Sequence, residues 1–417
     1  MSYTKNTFNM YHMRIFFILM YLSLIVSFFL DENSSGGAKK DFYSTFFIIE
    51  EFSKNFLNGF KILINSNNPH FPLHYIILGE LYRYIDNAEI LRFIILNTNI
   101  LIPFFFYKCL TKILPKFKKG QALLFSTIIF ISPYFRSSAI WATTDNTALL
   151  FFLISLFFFL QSGKKNNDYT YFLISIFFLG LSALTRFYYI IFFIYFSYVF
   201  IKNNKIKKNI MINIIFSFLF LTPSIFYYIL TKSKINNFLT DNLINNFYLN
   251  ISILLFYLIP LIVNSKTNII KFINFIKINN KIFLVISLIS VILFFKFNYF
   301  NKNYGGGFFF QIIKYYVHSE IQIFSFYVLC LFGIIFIWYI VNNRLNNLIL
   351  ILIFFISFNY MIVYQKYFDP LFLITLFILF YNVANKFFDK YFTKNFIFTF
   401  SYFFLFLIIS ILKNSNI

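Results

Sequence analysis

Read for alternation of apolar and polar residues, the chain is a series of apolar runs separated by short polar breaks. The runs fall at about 15–30, 90–112, 121–139, 146–161, 169–184, 187–201, 209–230, 245–264, 281–299, 321–341, 346–364, 369–384 and 395–412. Most approach the roughly 17–25 residues that a helix needs to cross a bilayer. None alternates with the period of two expected of barrel strands. The pattern therefore predicts an all-α polytopic membrane protein with about 13 transmembrane helices. The run at 71–85 is short and carries His74, Glu80 and Arg83. It reads as a helix lying on the membrane surface. Residues 39–62, with charged and apolar residues interleaved at helical spacing, predict one or two more such helices.

Basic residues orient the spans. If 71–85 does not cross, Lys112 to Lys119, Lys164-Lys165, Lys202 to Lys208, Lys266 to Lys281, Arg344 and Lys386 to Lys394 share one side with Lys5 and Arg14. Under the positive-inside rule that side is cytoplasmic, with the N-terminus inside and the C-terminus outside. The segment 31–89 then becomes a long outer first loop carrying juxtamembrane helices. The whole of 1–417 is expected to form a single integral membrane domain with no separate soluble one. The first apolar run is followed by no small-residue cleavage site, so it is taken as a span.

Composition strengthens this picture: 60% of residues are hydrophobic and 12% charged, against about a quarter charged in soluble domains. The net charge of +22 resides in short loops, where it sets topology and does not point to nucleic acid. Cys109 and Cys330 both lie within apolar runs and read as small core residues.

With only 14 acidic residues in the chain, Asp31-Glu32 at the exit of the first span stands out. Two carboxylates there can take a proton from a hydroxyl or hold a cation beside a phosphate; they can also be plain interfacial charges. In Asn68-Pro69-His70-Phe71-Pro72-Leu73-His74-Tyr75, two imidazoles and a tyrosine can bind hydroxyls or phosphate at the start of a helix, or simply open an amphipathic one. Asp145 stands where the next helix begins, either capping it or facing the first carboxylates across a groove. Arg186, between two closely joined spans, suits a bidentate phosphate contact or a snorkelling position. Lys366 and Tyr367 precede Asp369-Pro370 between two late spans, and Lys366 can pair a phosphate. On the topology above all these groups converge on the outer side, as a one-sided active site requires. Gly305-Gly306-Gly307 follows no strand and reads as a flexible outer loop. Metal-ligand spacings and nucleotide-binding loops are absent from the sequence.

Taken in order, these motifs resemble those of the GT-C superfamily of polyprenyl-phosphate-sugar-dependent membrane glycosyltransferases. The likeness is greatest to the branch of protein O-mannosyltransferases, the aminoarabinose transferase of lipid A and lipopolysaccharide sugar transferases. Asp31-Glu32 matches that branch's acidic pair after the first span. His70-Phe71-Pro72-Leu73-His74-Tyr75 approximates its Pro-Pro-Leu-Tyr-Tyr-like stretch, and Arg92 and Asn97 its Arg and Asn opening the next span. Ser132-Pro133 with Thr144-Asp145 matches its second outer loop, and Lys366-Tyr367-Phe368-Asp369-Pro370 echoes its late Arg-Tyr-x-x-Pro element. Phe71 departs from the first proline, and Lys366 from the more usual arginine.

The resemblance implies transfer of a sugar from a polyprenyl phosphate to an acceptor hydroxyl on the outer face of the membrane, with inversion. A lipid or glycan acceptor is expected over protein, since no periplasmic domain is evident. Asp31 would be the general base; Glu32 and Asp145 would orient acceptor or donor. His70, His74 and Tyr75 would line the substrate site, and Arg186, Lys366 and Tyr367 would hold the donor phosphate. No cofactor is required, although a divalent cation is compatible with the carboxylates; the remaining partners are membrane lipids. The expected location is a bacterial inner membrane with a periplasm-facing site. The competing reading is a lipid-linked oligosaccharide flippase or transporter, or a glycan polymerase. A transporter would place ionisable residues mid-span or repeat its halves.

Overall fold

The computed structural model describes residues 10–66, 68, 70–162, 168–203, 207–236, 242–263, 266–302, 304–341, 344–380, 382–389 and 391–414. It is all-helical, as the apolar pattern predicts, with 85% helix and no strands among the described residues. Of the lysines used for topology, Lys5, Lys164, Lys165, Lys205 and Lys390 lie outside the described residues.

Two compact units are present. The first comprises residues 1–232, 384–392 and 400–417. It contains α1 (Met10–Phe29), α2 (Ala38–Lys54), α3 (Phe56–Asn65), α4 (Leu73–Ile85), α5 (Ala88–Thr98), α6 (Leu101–Ile113), α7 (Lys119–Ser126), α8 (Pro133–Ile140), α9 (Thr144–Ser162), α10 (Asp168–Ala183), α11 (Phe192–Asn203) and most of α12 (Lys207–Asn236). The second comprises residues 233–383 and 393–399. Its helices are α13 (Leu243–Val263), α14 (Lys266–Ile278), α15 (Asn280–Phe294), α16 (Gly307–Tyr316), α17 (Ser319–Val341), α18 (Leu345–Ser357) and α19 (Leu371–Ile378). The short α20 (Val383–Phe387) and long α21 (Phe392–Asn414) close the chain, and the last turns of α21 belong to the first unit.

By length and apolar character, six helices among the described residues can cross a membrane, or eight if each of two bent pairs is one span. The expected count of about 13 is not confirmed. Six of the expected runs fall in helical segments long and apolar enough to span, including Ala88–Ile113 and Leu243–Val263. The run at 121–139 is bent by 71° where a 3-10 stretch, Thr127–Ile131, meets Pro133. That at 281–299 pairs with α14 across an 85° bend. Four others become shorter apolar helices, and 369–384 yields only the eight residues of α19. Hydropathy sums side chains and is blind to backbone breaks, so it merges or lengthens elements that prolines and 3-10 turns divide.

In the first unit, α2 and α4 pack closely enough that a β-carbon on Gly79 would stand 2.4 Å from the β-carbon of Phe52. The contact buries Ile48, Ile49 and Phe52 of α2 with Tyr75 and Leu78 of α4. The expected surface segments at 39–62 and 71–85 are thus real helices (α2, α3 and α4) whose apolar faces meet one another. In the second unit α13 is the most enclosed span, packed against α16 and α17. Gly305, Gly306 and Gly307 all adopt left-handed φ. A β-carbon at Gly307 would meet Ile253 at 2.4 Å, and the Gly306 N–H donates to Val363 O at 2.7 Å. The triple glycine is a packed turn and not the loose loop expected, because only glycine combines those angles with that proximity. Both cysteines are buried and free, matching their reading as core residues.

Candidate active site

The site begins where α1 stops. The Glu32 N–H donates to Ser27 O at 3.0 Å and the Asp31 N–H to Phe28 O at 3.1 Å, with Asp31 at φ +51°. Those bonds form a Schellman cap, whose left-handed position is normally glycine. An L-residue there carries a conformational cost, which asparagine and aspartate bear best. The cap turns the two adjacent carboxylates into different surroundings.

Glu32 turns inward. Its side chain is 10% exposed, and Arg136 grips it bidentately, Nε to Oε1 at 2.8 Å and Nη2 to Oε2 at 2.7 Å. The indole Nε1 of Trp141 donates to Glu32 O at 2.9 Å. Burial alone would raise the Glu32 carboxyl. The Arg136 hydrogen bonds and charge, with the nearby Ser27 and Ser34 hydroxyls, outweigh that and hold it below the ordinary carboxylate range. Arg136 also donates to Ser27 Oγ and, at 3.1 Å, to Phe130 O, so its charge is well enclosed.

Asp31 turns outward, with its side chain 54% exposed. Arg92 Nη2 lies 3.2 Å from Oδ1 and Lys39 Nζ 3.6 Å from Oδ2. Arg92 is itself buried and heavily committed. Its Nη1 donates to both oxygens of Glu89 at 2.8 and 2.9 Å, its Nε donates to Ile140 O at 3.1 Å, and its guanidinium lies 3.7 Å over the Trp141 ring. A cation fixed by four such contacts is a rigid wall for the exposed carboxylate.

A second cluster lies at the start of α9. Asp145 Oδ1 is 2.7 Å from Arg186 Nη2, and Arg186 Nη1 is 2.8 Å from His70 Nδ1. A guanidinium only donates, so His70 Nδ1 must accept and its proton sits on Nε2. His74 is buried on α4, with Nε2 2.9 Å from Ala142 O and Nδ1 2.9 Å from Thr147 Oγ1. A carbonyl only accepts, which again places the proton on Nε2. Burial, reinforced by the Arg186 charge, lowers its pKa to about 4 despite the opposing Ala142 bond and Asp145, so the ring is neutral at pH 7. Tyr75 is buried, accepts from Asn68 Nδ2 at 2.6 Å, and is pushed up to about 12 chiefly by burial.

Both clusters attach to one turn. Ile140 O receives Arg92, Trp141 reaches Glu32, and Ala142 O, in a left-handed residue, faces His74. Of the residues expected from sequence, Asp31, Glu32, His70, His74, Tyr75, Asp145 and Arg186 all fall in the first unit around this turn. Lys366 and Tyr367 fall in the second unit, in the 3-10 turn Gln365–Tyr367. Lys366 Nζ lies 5.5 Å over the Tyr364 ring, and Tyr367 stacks on Phe358 at 5.7 Å. Among the described residues no group of three or more His, Cys, Asp or Glu could hold a metal.

Sequence reasoning undervalued Arg136, Trp141 and Glu89. Arg136 lies inside the apolar run at 121–139. Its signal was there: an arginine in an apolar run needs a buried carboxylate, and Glu32 was available.

With several apolar spans and these motifs brought together, the chain is similar to integral membrane glycosyltransferases of GT-C type. The comparison with known families agrees: residues 86–228 match the model of the dolichyl-phosphate-mannose-protein mannosyltransferase family. The match includes Arg92, Arg136, Asp145 and Arg186 and bears out the resemblance read from sequence; Asp31 and Glu32 precede it. No curated protein and no solved structure matches the chain.

Proposed function

We propose that this protein transfers a sugar from a polyprenyl phosphate to an acceptor hydroxyl, with inversion, and that Asp31 is the base. The observation that carries the role is Asp31 itself, an aspartate kept at a glycine-preferring cap position with its carboxylate open to solvent. Local cost at a backbone outlier, where a cheaper residue exists, is a mark of function.

In the reaction Asp31 takes the proton of the acceptor hydroxyl as its oxygen attacks the anomeric carbon. The bond to the phosphate oxygen breaks, and the polyprenyl phosphate departs with the negative charge. Arg186 holds that phosphate; neutralising charge that develops on the leaving group is the main electrostatic task. Asp145 and His70 orient Arg186. Glu32, enclosed by Arg136, shapes the turn that presents Asp31. His74 and Tyr75, both buried, support the wall of the substrate site. The acceptor is a lipid or glycan, the partners are membrane lipids, and residues 1–417 act as one membrane domain. The location is a bacterial inner membrane, with residues 31–89 and the site on the periplasmic side.

The test is incubation of purified enzyme with a panel of polyprenyl-phosphate sugars, reading release of polyprenyl phosphate. Turnover of at least one donor, abolished in Asp31→Asn, is expected. Undiminished turnover in that variant would remove Asp31 as the base.

A further inference from the structure

Beyond the charged residues, the turn that follows Asp31-Glu32 is held from two directions. From α8, Ser137 Oγ accepts the Ser35 N–H at 2.7 Å and lies 3.0 Å from Ser34 Oγ, which donates to Pro133 O at 2.9 Å. From the other end of the chain, Asn414 in the last turn of α21 donates through Nδ2 to Ser34 O at 2.8 Å and to Ser410 O at 2.9 Å. Ser34 is buried by these contacts. Gly36 adopts φ +78°, and a β-carbon there would stand 2.6 Å from Asn414 Oδ1. Two residues later α2 starts, and its Lys39 lies beside Asp31.

We propose that Asn414 is a positioning residue of the active site, and that the final turn of α21 braces the turn that carries the base. The chemistry is specific to an amide. Its two N–H groups satisfy two carbonyls on different segments, one in its own helix and one in the turn, while its oxygen faces the space that glycine leaves. With Ser137 pinning one side and Asn414 the other, the path from Asp31 to Lys39 has one conformation. Without Asn414 the Ser137 side remains, so the fold persists while the Asp31 carboxylate gains freedom relative to Arg92 and Lys39. A base displaced by a fraction of an ångström loses rate more than binding.

This inference rests on Asp31 being the base, and the experiment separates the two. The full chain, reconstituted with a donor it turns over, is compared as wild type, Asn414→Ala, Asn414→Asp, Gly36→Ala and Gly36→Ala with Asn414→Ala. Asn414→Ala is expected to lower kcat about fivefold, roughly one net hydrogen bond's worth, with donor KM within about twofold and little change in thermal midpoint. Asn414→Asp should lose more, since a carboxylate would face two carbonyls. The double variant should lose less than the sum of the singles, because the β-carbon then meets space. Unchanged kcat in both Asn414 variants overturns the proposal, as does a loss that tracks the fraction of folded enzyme. Activity in Asp31→Asn would instead overturn the assignment of the base.

Discussion

In the first unit buried arginines meet carboxylates: Arg92 meets Glu89 and Asp31, Arg136 meets Glu32, and Arg186 meets Asp145. The second unit handles its buried polar groups mostly with amides and hydroxyls. Asn298 Oδ1 accepts from Asn245 at 2.6 Å, Asn246 donates to Asn359 at 2.9 Å, and the Gln365 side chain accepts the Phe308 N–H at 2.6 Å. All but three of the chain's 14 acidic residues belong to the first unit. The contrast separates two tasks. Neutral amide pairs stabilise packing at modest cost, whereas a buried ion pair is a poor way to gain stability and is better explained by what its charges do. On that ground the chemistry proposed above belongs with the ion pairs of the first unit.

The largest effect that would break this contrast lies at Asp31. Asp31→Asn should reduce polyprenyl phosphate release by at least about 100-fold, the lower range for a lost general base. Asp31→Gly sharpens it: the same activity loss, with thermal or denaturant stability unchanged or raised by up to about 1 kcal/mol, since glycine suits the left-handed cap. Falling activity and falling stability together would mean that Asp31 serves the fold.

Next is Arg136→Ala, which strands the enclosed Glu32 and should cost about 3–5 kcal/mol in a denaturant melt. A loss below about 1 kcal/mol would place the pair with surface salt bridges. Arg186→Ala should raise donor KM about tenfold, close to 1.4 kcal/mol, with a smaller change in kcat. An unchanged donor KM would take the phosphate away from it.

The pH response is smaller. His74 is neutral in the fold, with its pKa lowered to about 4, while an exposed imidazole titrates near 6.5. As pH falls from about 6.5 toward 4 the unfolded chain takes up a proton that the folded one refuses, so stability present above that window is lost within it. Glu32 adds loss at lower pH, as its depressed carboxyl protonates. His74→Gln should flatten the upper part of the melting-temperature profile; an identical slope would exclude His74 as its source. Smallest is the second unit: Gln365→Ala should cost about 1 kcal/mol and leave donor KM unchanged.

How much of this was legible in sequence depends on the reach of each interaction. Asp31-Glu32 is local and visible, as are the proline-led start of α4 and the apolar spans. The opposite fates of the two carboxylates are not visible, because they are decided by Arg136, which is 104 positions from Glu32, and by Arg92, which is 61 from Asp31. The span count is not confirmed for a related reason. A run of apolar letters such as 121–139 looks continuous, although Pro133 and a 3-10 stretch fold it by 71°. Arg186 reads in the sequence as a phosphate contact or a snorkelling cation; its burial beside Asp145 and His70 emerges only from tertiary packing.

The turn at residues 140–142 has a consequence for how such sites drift and are redesigned. It is addressed largely through its main chain: Arg92 and His74 bind the carbonyls of Ile140 and Ala142, so an apolar side chain that fits the buried bend leaves those contacts intact. Only Trp141 is held to its identity, by its indole N–H and the guanidinium above it. Two charge clusters can thus stay wired together while apolar letters at their junction change, and a library of apolar residues of similar size at 140 should retain activity where one at 141 should not.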